Sequence, residues 1–391
     1  MIAAQAKAST FFGEKTLQIF SNEYEGRSMT PAQLDNQCNV LAKILHENHM
    51  SRLGIEPTMK LASAYNHCRY AQEERWRNEL YSNKFVDLLK QNGELTRSPM
   101  ELRDGWALDT SMTLPFLQEM LEESDKIIQK RQGVRSSSQG AYRSFFQNVF
   151  TLEDAESYPS FLNFATSSDL IVTVASYLQT IPALSTTLPP GIRLVESNVA
   201  FDDQPEQPKD SQLFHIDYYS LPNVYVLVLL RDTTLEHGPW SFIPREKSEK
   251  VKQKLGYWKK ERGYRITDKD VYSVVDPEDV IEFTYPRGTV LFIESSGCLH
   301  YGSRNSVKPR WQLMLGYTGA CRSDFSEIVL PKKTFATHDN DSSLRRMVID
   351  KYLTPPGYQN IVDPGDLEEL QNQLPPEVKN LSENQLQLKG M

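Results

Sequence analysis

The chain has 391 residues, of which 39% are hydrophobic and 24% are charged, and its formal net charge is −8 at pH 7. This is the composition of a globular protein, and it excludes a wholly disordered chain, a collagen-like repeat and a coiled-coil rod. Duplex nucleic acid is bound through a basic face that neutralises phosphates, and anionic membranes attract basic segments. The acidic balance therefore predicts no binding to nucleic acid or to a membrane.

The cysteines and the N-terminus indicate the compartment. The four cysteines, Cys38, Cys68, Cys298 and Cys321, form no Cys-x-x-Cys pair, so we expect a reducing environment and no disulfide framework. The N-terminus lacks the basic stretch and apolar core of a secretory signal. The longest apolar run, 224–230, is far shorter than the roughly 20 residues of a membrane helix. We therefore expect a cytoplasmic protein.

The first third of the chain is predicted to be helical. A cap at Thr30, followed by a proline at the first helical position, begins a segment that runs to residue 50. Apolar residues also recur at helical spacing over 61–89 and 115–130. We therefore assign residues 1–150 to a helical region that packs on the core.

After Pro189, short β-branched and aromatic runs alternate with turn residues, which predicts strands. Eight short strands suit a double-sheet jelly roll. We therefore expect a mainly β fold with helices, in which residues 151–330 form a double-stranded β-helix core and residues 331–391 form a partly irregular C-terminal extension. The predicted strands are Ile192–Phe201, Leu213–His215, Val224–Arg231, Ser241–Ile243, Val271–Val275, Val280–Phe283, Thr289–Glu294 and Trp311–Tyr317.

Three side chains have the character of metal ligands. His215 and Asp217 are two positions apart in a predicted strand, so both point to one face and can reach one metal ion. His300 follows a hydrophobic strand and a glycine turn. Two histidines and one carboxylate are the donor set that holds non-haem Fe(II) on one side and leaves the other positions open. Ten residues later, Arg310 offers a cationic fork for a dicarboxylate cosubstrate.

Three stretches resemble the Fe(II)/2-oxoglutarate-dependent oxygenases, specifically the phytanoyl-CoA dioxygenase-like family. They are FHID at 214–217, HGPWSFIP at 237–244 and HYGSRNSVKPRWQLMLGY at 300–317. The third is the most specific, because it combines a histidine, a Gly-Ser-x-Asn-Ser stretch and an arginine in the order of the family. Family members often continue after the proline with Gly-Ser-His, whereas this chain has Arg-Glu-Lys at 245–247. The role of that loop in substrate binding is therefore open.

The resemblance implies an oxidoreductase, a hydroxylase that uses Fe(II), 2-oxoglutarate and O2 to oxidise an unactivated C–H bond of a small molecule. Succinate and CO2 would be released. His215, Asp217 and His300 would be the catalytic iron ligands, and Arg310 would pair with the distal carboxylate of 2-oxoglutarate. Asn198 would hydrogen-bond the cosubstrate, because related enzymes often place an amide on this strand. The sequence specifies neither the substrate nor the oligomeric state.

Two other hypotheses stay open. A jelly-roll iron enzyme could use the same three ligands without 2-oxoglutarate, although it would have no need of a buried Arg310. A non-catalytic jelly roll could bind a small molecule, although it would have no reason to direct two histidines and a carboxylate to one point. We expect His237, beside Gly238 in a turn, to be structural, and His46 and His49 to be solvated on their helix.

Overall fold

The computed structural model describes residues 55–134, 145–187, 191–198, 207–259, 264–329 and 334–350. The helix predicted to begin at Thr30, with His46 and His49, lies outside these residues. So does the part of the C-terminal extension that follows residue 350. Within the described residues, no helix is both long enough and apolar enough to cross a bilayer.

The described helices form where apolar residues share one face or where a polar side chain caps the first turn. In the helix at Leu117–Arg131, the buried side chains include Met120, Leu121, Ile127 and Ile128, the spacing of an amphipathic helix. The helices are α1 (Ile55–Ser82), α2 (Phe85–Gln91), α3 (Leu117–Arg131), α4 (Leu152–Ser157), α5 (Ser160–Ala165), α6 (Ser168–Leu178), α7 (Arg245–Leu255), α8 (Asp268–Val271), α9 (Ser326–Val329) and α10 (Ser343–Ile349).

The strands form two antiparallel sheets. They are β1 (Trp106–Asp109), β2 (Phe146–Asn148), β3 (Ala183–Leu184), β4 (Ile192–Ser197), β5 (Val224–Leu229), β6 (Ser241–Phe242), β7 (Ile281–Glu282), β8 (Val290–Glu294), β9 (His300–Tyr301) and β10 (Arg310–Thr318). The large sheet has the order β1-β8-β5-β10-β4-β2, and β3 also pairs with β10. The small sheet has the order β7-β6-β9. The prediction of a mainly β jelly-roll core with helices is confirmed.

Strand β10 directs one face towards the hydrophobic core and the other face towards a cavity. Its residues alternate between the two faces, as in any strand. Trp311, Leu313 and Leu315 enter the main hydrophobic core, which also contains side chains of α5 and α6. Arg310 and Met314 point the other way and line a cavity. One face of this sheet is therefore covered by helices, while the other carries the polar groups described below.

The observed elements differ from the predicted ones in three places. The segment predicted as a strand at Val271–Val275 contains the end of the helix α8, because the Thr267 hydroxyl accepts a hydrogen bond from Asp270 N and caps a helical turn. The segment Leu213–His215 forms only isolated bridges and no continuous strand. Strands β1 and β2 come from the region predicted to be helical, and α4 to α6 come from the region predicted to be the β core. The three-part domain division itself stays a prediction.

Candidate metal centre

Backbone hydrogen bonds hold the three predicted metal ligands beside one another. The His215 amide donates to the His300 carbonyl at 3.1 Å, and the His300 amide donates to the His215 carbonyl at 2.9 Å. The Asp217 amide donates to the Ser295 carbonyl at 2.9 Å. The chain around the His-x-Asp motif is therefore paired with the chain around the distal histidine, although 84 residues lie between the two histidines.

The orientation of both imidazole rings leaves one nitrogen of each ring available for a metal. His215 Nδ1 lies 2.8 Å from the Leu213 carbonyl, and His300 Nδ1 lies 2.9 Å from the Cys298 carbonyl. A carbonyl only accepts, so each Nδ1 is the donor of this contact, which directs each Nε2 towards the other two predicted ligands. His300 Nε2 is 3.5 Å from Asp217 Oδ2. One ligand atom from each of the three residues lies within 4.8 Å of the other two, a spacing that one ion can bridge.

Burial and mutual contact keep these groups in the protonation states that bind metals. Burial, followed by the charge of His300, lowers the pKa of His215 to about 3, so its imidazole is neutral at pH 7. Burial by itself raises the pKa of the Asp217 carboxyl, but the neighbouring His300 and His215 outweigh it and hold that pKa well below its usual range. A neutral imidazole and an ionised carboxylate are the forms that coordinate a cation.

Two aromatic residues fix the positions of the ligands. The Trp240 ring stacks on the His300 ring, with centroids 4.6 Å apart and planes 25° apart. Burial, followed by the charge of the nearby Asp217, raises the pKa of the Tyr225 hydroxyl well above its usual value. The hydroxyl therefore keeps its proton beside the carboxylate. Such neighbours would restrict the predicted ligands before an ion binds.

Arg310 is buried without an acidic partner among the described residues. Its side chain begins strand β10 and is 5% exposed. Nη2 donates to the Ser303 hydroxyl at 3.0 Å, whereas Nε and Nη1 have no hydrogen-bond partner in the described part of the chain. Burial lowers the pKa of Arg310 to about 10, so it remains a cation at neutral pH. A buried cation with two free donors is matched by a bidentate anion such as a carboxylate.

The structure brings His215, Asp217, His300 and Arg310 to one cavity. Asn198 is placed differently: its side-chain amide donates to Glu196 Oε1 at 3.3 Å, and it is not among the described residues that line the cavity. The proposed contact of Asn198 with a cosubstrate stays a prediction. His237 lies in a short turn, as expected from the sequence.

The cavity also contains groups that the sequence analysis did not assign to the site. The Arg193 side chain, the Tyr225 hydroxyl and the Ser303 hydroxyl all line it. The signal for Arg193 was present in the sequence, because an arginine inside the otherwise apolar start of β4, Ile-Arg-Leu-Val, has to face a polar environment or a partner. Ser303 and Tyr225 had no such signal, because each becomes functional only through its contact with a distant residue.

Comparison with known proteins gives remote structural likenesses. No family model and no curated protein matches the chain. The epimerase SnoN in complex with Fe3+, alpha ketoglutarate and nogalamycin RO is 15% identical, with 61% of this chain and 93% of that chain covered and a TM-score of 0.38. EctD from S. alaskensis with 2-oxoglutarate and 5-hydroxyectoine is 12% identical, with 57% and 78% covered and a TM-score of 0.36. HygX from Streptomyces hygroscopicus, with nickel and 2-oxoglutarate bound, is 15% identical, with 55% and 82% covered and a TM-score of 0.32.

Proposed function

We propose that this protein is an Fe(II)- and 2-oxoglutarate-dependent oxygenase that hydroxylates, or otherwise oxidises, an unactivated C–H bond of a small molecule. The observation that carries the proposal is the presence, in one cavity, of a two-histidine, one-carboxylate cluster and a buried arginine without an acidic partner among the described residues. The cluster suits the metal, and the arginine suits the far carboxylate of the cosubstrate.

The three ligands fit Fe(II) through their chemistry. Two imidazole nitrogens and one carboxylate oxygen supply a facial set, and the protein contributes no fourth ligand from the described cluster, so positions remain for other molecules. When bound, iron and 2-oxoglutarate together supply the activation of O2, with succinate and CO2 as the products of the cosubstrate. Asp217 supplies the negative charge of the set. His215 and His300 would each supply an imidazole nitrogen, and their rings are held by backbone carbonyls.

Arg310 is the residue that would distinguish 2-oxoglutarate from other iron-binding acids. Its Nε and Nη1 have no partner among the described residues and stay available as donors, while Nη2 donates one of its two protons to Ser303. In a cavity that excludes most water, a charge-assisted bidentate pair is stronger than in bulk solvent. The arginine would therefore orient the cosubstrate, so that its keto-acid end faces the metal ligands.

The remaining walls of the cavity would shield the reacting groups. They include Phe146, Val195, Tyr219, Tyr225, Trp240 and Met314, which are mostly apolar or aromatic. Such walls lower the local polarity and restrict the approach of water and of bulky molecules. The protein's contribution is thus to position the metal, cosubstrate and substrate and to protect them from solvent.

Metal and cosubstrate binding test this proposal directly. Anaerobic titration of the metal-free protein with Fe(II), and then with 2-oxoglutarate, is expected to give one ion and one cosubstrate per chain in calorimetry. His215→Ala should lose stoichiometric iron binding. His237→Ala, which removes a histidine outside the cavity, should keep it. Equal iron binding by wild type and His215→Ala would overturn the assignment of the site.

A further inference from the structure

A second cationic side chain, Arg193, faces the same cavity as the proposed metal ligands. It lies on strand β4, opposite Met314 of β10, while Arg310 lies opposite Ser197. The two arginines are therefore four positions apart along paired strands, or about 13 Å at ~3.3 Å per residue. The backbones of Arg310 and Arg193 therefore enter the cavity wall at two separate places.

One nitrogen of the Arg193 guanidinium lacks a partner within the described residues. This buried Nε has no hydrogen-bond partner there, and no salt bridge joins the side chain to a described acid. The guanidinium carbon Cζ lies 5.7 Å from the centroid of the Tyr225 ring. By contrast, Arg97 pairs with Asp109 at 2.6 Å. A partly buried arginine is normally paired with an acid. The absence of a salt bridge between Arg193 and any described acid therefore requires an explanation.

The proposed cosubstrate does not account for Arg193. One carboxylate of 2-oxoglutarate is assigned to Arg310, and its keto-acid end is assigned to the metal, so none of its charges remains for a second arginine. Arg193 lies instead on the side of Asp217, whose carboxyl it helps to keep ionised. Apolar and aromatic side chains, including Val195, Met314 and Tyr219, line the same cavity.

We propose that Arg193 binds an oxyanion of the substrate, which is therefore an acidic small molecule with a carboxylate or phosphate group on an apolar skeleton. This inference rests on the proposed function and specifies its substrate class. The planar guanidinium would pair with two oxygens of the anion, while the apolar walls contact the carbon skeleton. The anion would also fix which C–H bond of the substrate approaches the metal, because it holds the molecule at a defined distance from the ligands.

The test uses the full chain with Mn(II) and 2-oxoglutarate, so that the metal ligands and Arg310 are occupied and no turnover takes place. The probes are phenylacetate and phenyl phosphate, with neutral phenylacetamide as the matched comparison, and calorimetry reports their affinity. We expect Arg193→Gln to weaken binding of at least one acid by about tenfold or more, and Arg193→Lys to weaken it less. Phenylacetamide should bind equally to wild type and Arg193→Gln. Arg103→Gln, which removes an exposed arginine paired with Glu101, should behave as wild type.

Any of three results would overturn the inference. The affinity for both acids could be unchanged in Arg193→Gln, the amide could bind as tightly as the acids, or neither acid could bind the wild type. Mn(II) and 2-oxoglutarate binding are measured first in the same samples, and the acids are then titrated at concentrations of both that saturate wild type and Arg193→Gln. If 2-oxoglutarate does not bind the wild type, the proposed function fails. The same acid titration of the metal-free protein then still reports on Arg193 separately.

Discussion

Replacing Arg310 by methionine distinguishes two possible roles of this arginine, the binding of a ligand and the stabilisation of the fold. The substitution keeps much of the side-chain volume and removes the charge. In the wild type the guanidinium makes one described hydrogen bond, to Ser303 at 3.0 Å, and two of its nitrogens have no partner among the described residues. A structural arginine would be fully paired, and its loss would destabilise the fold. An arginine that binds an anionic ligand is incompletely paired while the ligand is absent. Its loss should therefore stabilise the ligand-free protein.

The magnitude follows from the pKa of the buried group. Burial lowers the pKa of Arg310 well below its ordinary value, to about 10, and one pKa unit is worth about 1.4 kcal/mol. Because the folded-state pKa is the lower one, the buried charge opposes folding at every pH below about 10, by up to about 3 kcal/mol, and this cost fades as pH rises further. Losing the Ser303 hydrogen bond costs about 1 kcal/mol. The metal-free Arg310→Met protein should therefore be more stable than wild type by about 1–2 kcal/mol.

The same substitution should sharply weaken cosubstrate binding. Removing one partner of a buried charge pair costs about 2–5 kcal/mol, which is about thirtyfold or more in affinity for 2-oxoglutarate. Urea denaturation measures the stability, and calorimetry of the iron-loaded, anaerobic protein measures the affinity, while iron content should stay at the wild-type level. Arg322→Met is the control, because Arg322 is fully buried and bound to Asp324, and its loss should destabilise the fold by about 3–5 kcal/mol. Destabilisation of Arg310→Met with unchanged 2-oxoglutarate affinity would refute the reasoning.

Three further outcomes are expected at the same cavity. His300→Ala should lose stoichiometric Fe(II) in metal analysis, because two donors hold an ion too weakly; retention of one ion per chain would contradict the ligand set. Ser303→Ala should weaken 2-oxoglutarate about tenfold in calorimetry, because Arg310 loses its one described anchor, while iron content is unchanged. In chloride-rich buffer, mass analysis of the product made from the true substrate should show a gained oxygen and no chlorine, because the Asp217 carboxylate fills the position that a halide would need and repels it. A chlorinated product from the unmodified protein would contradict that role of Asp217.

The ligand cluster could be predicted because its signal is local and chemical. The spacing of His215 and Asp217 places both on one side of extended backbone, and the apolar run before His300 identifies a buried strand that leads to it. The burial of Arg310 did not follow from its position at the start of a strand, where a surface arginine is equally at home, and was expected only from the resemblance. What the spacing could not give is the direct pairing of His215 with His300, since that depends on how two distant segments meet.

Other features depended on tertiary structure. Helix α6, Ser168–Leu178, is rich in β-branched residues and almost entirely buried, so no polar face marks it as a helix. The side chain of Asn198 donates a hydrogen bond to Glu196, two positions before it. Neither residue is among those that line the cavity. Arg193 and Val195, on the same strand as Glu196, do line it. Strand alternation predicts which residues of β4 share a face. It does not predict which face is directed towards the proposed metal ligands, because that depends on the pairing of β4 with β10.

The central claim is tested most directly by succinate formation from 2-oxoglutarate. The protein, loaded with Fe(II) under O2, is incubated with 2-oxoglutarate and a panel of small acidic molecules, and succinate is quantified by mass spectrometry. We predict that a substrate in the panel stimulates succinate release in a one-to-one ratio with oxidised product, and that Asp217→Ala and His215→Ala abolish it. An oxidised product formed without succinate, or equal succinate from wild type and both variants, would contradict the account.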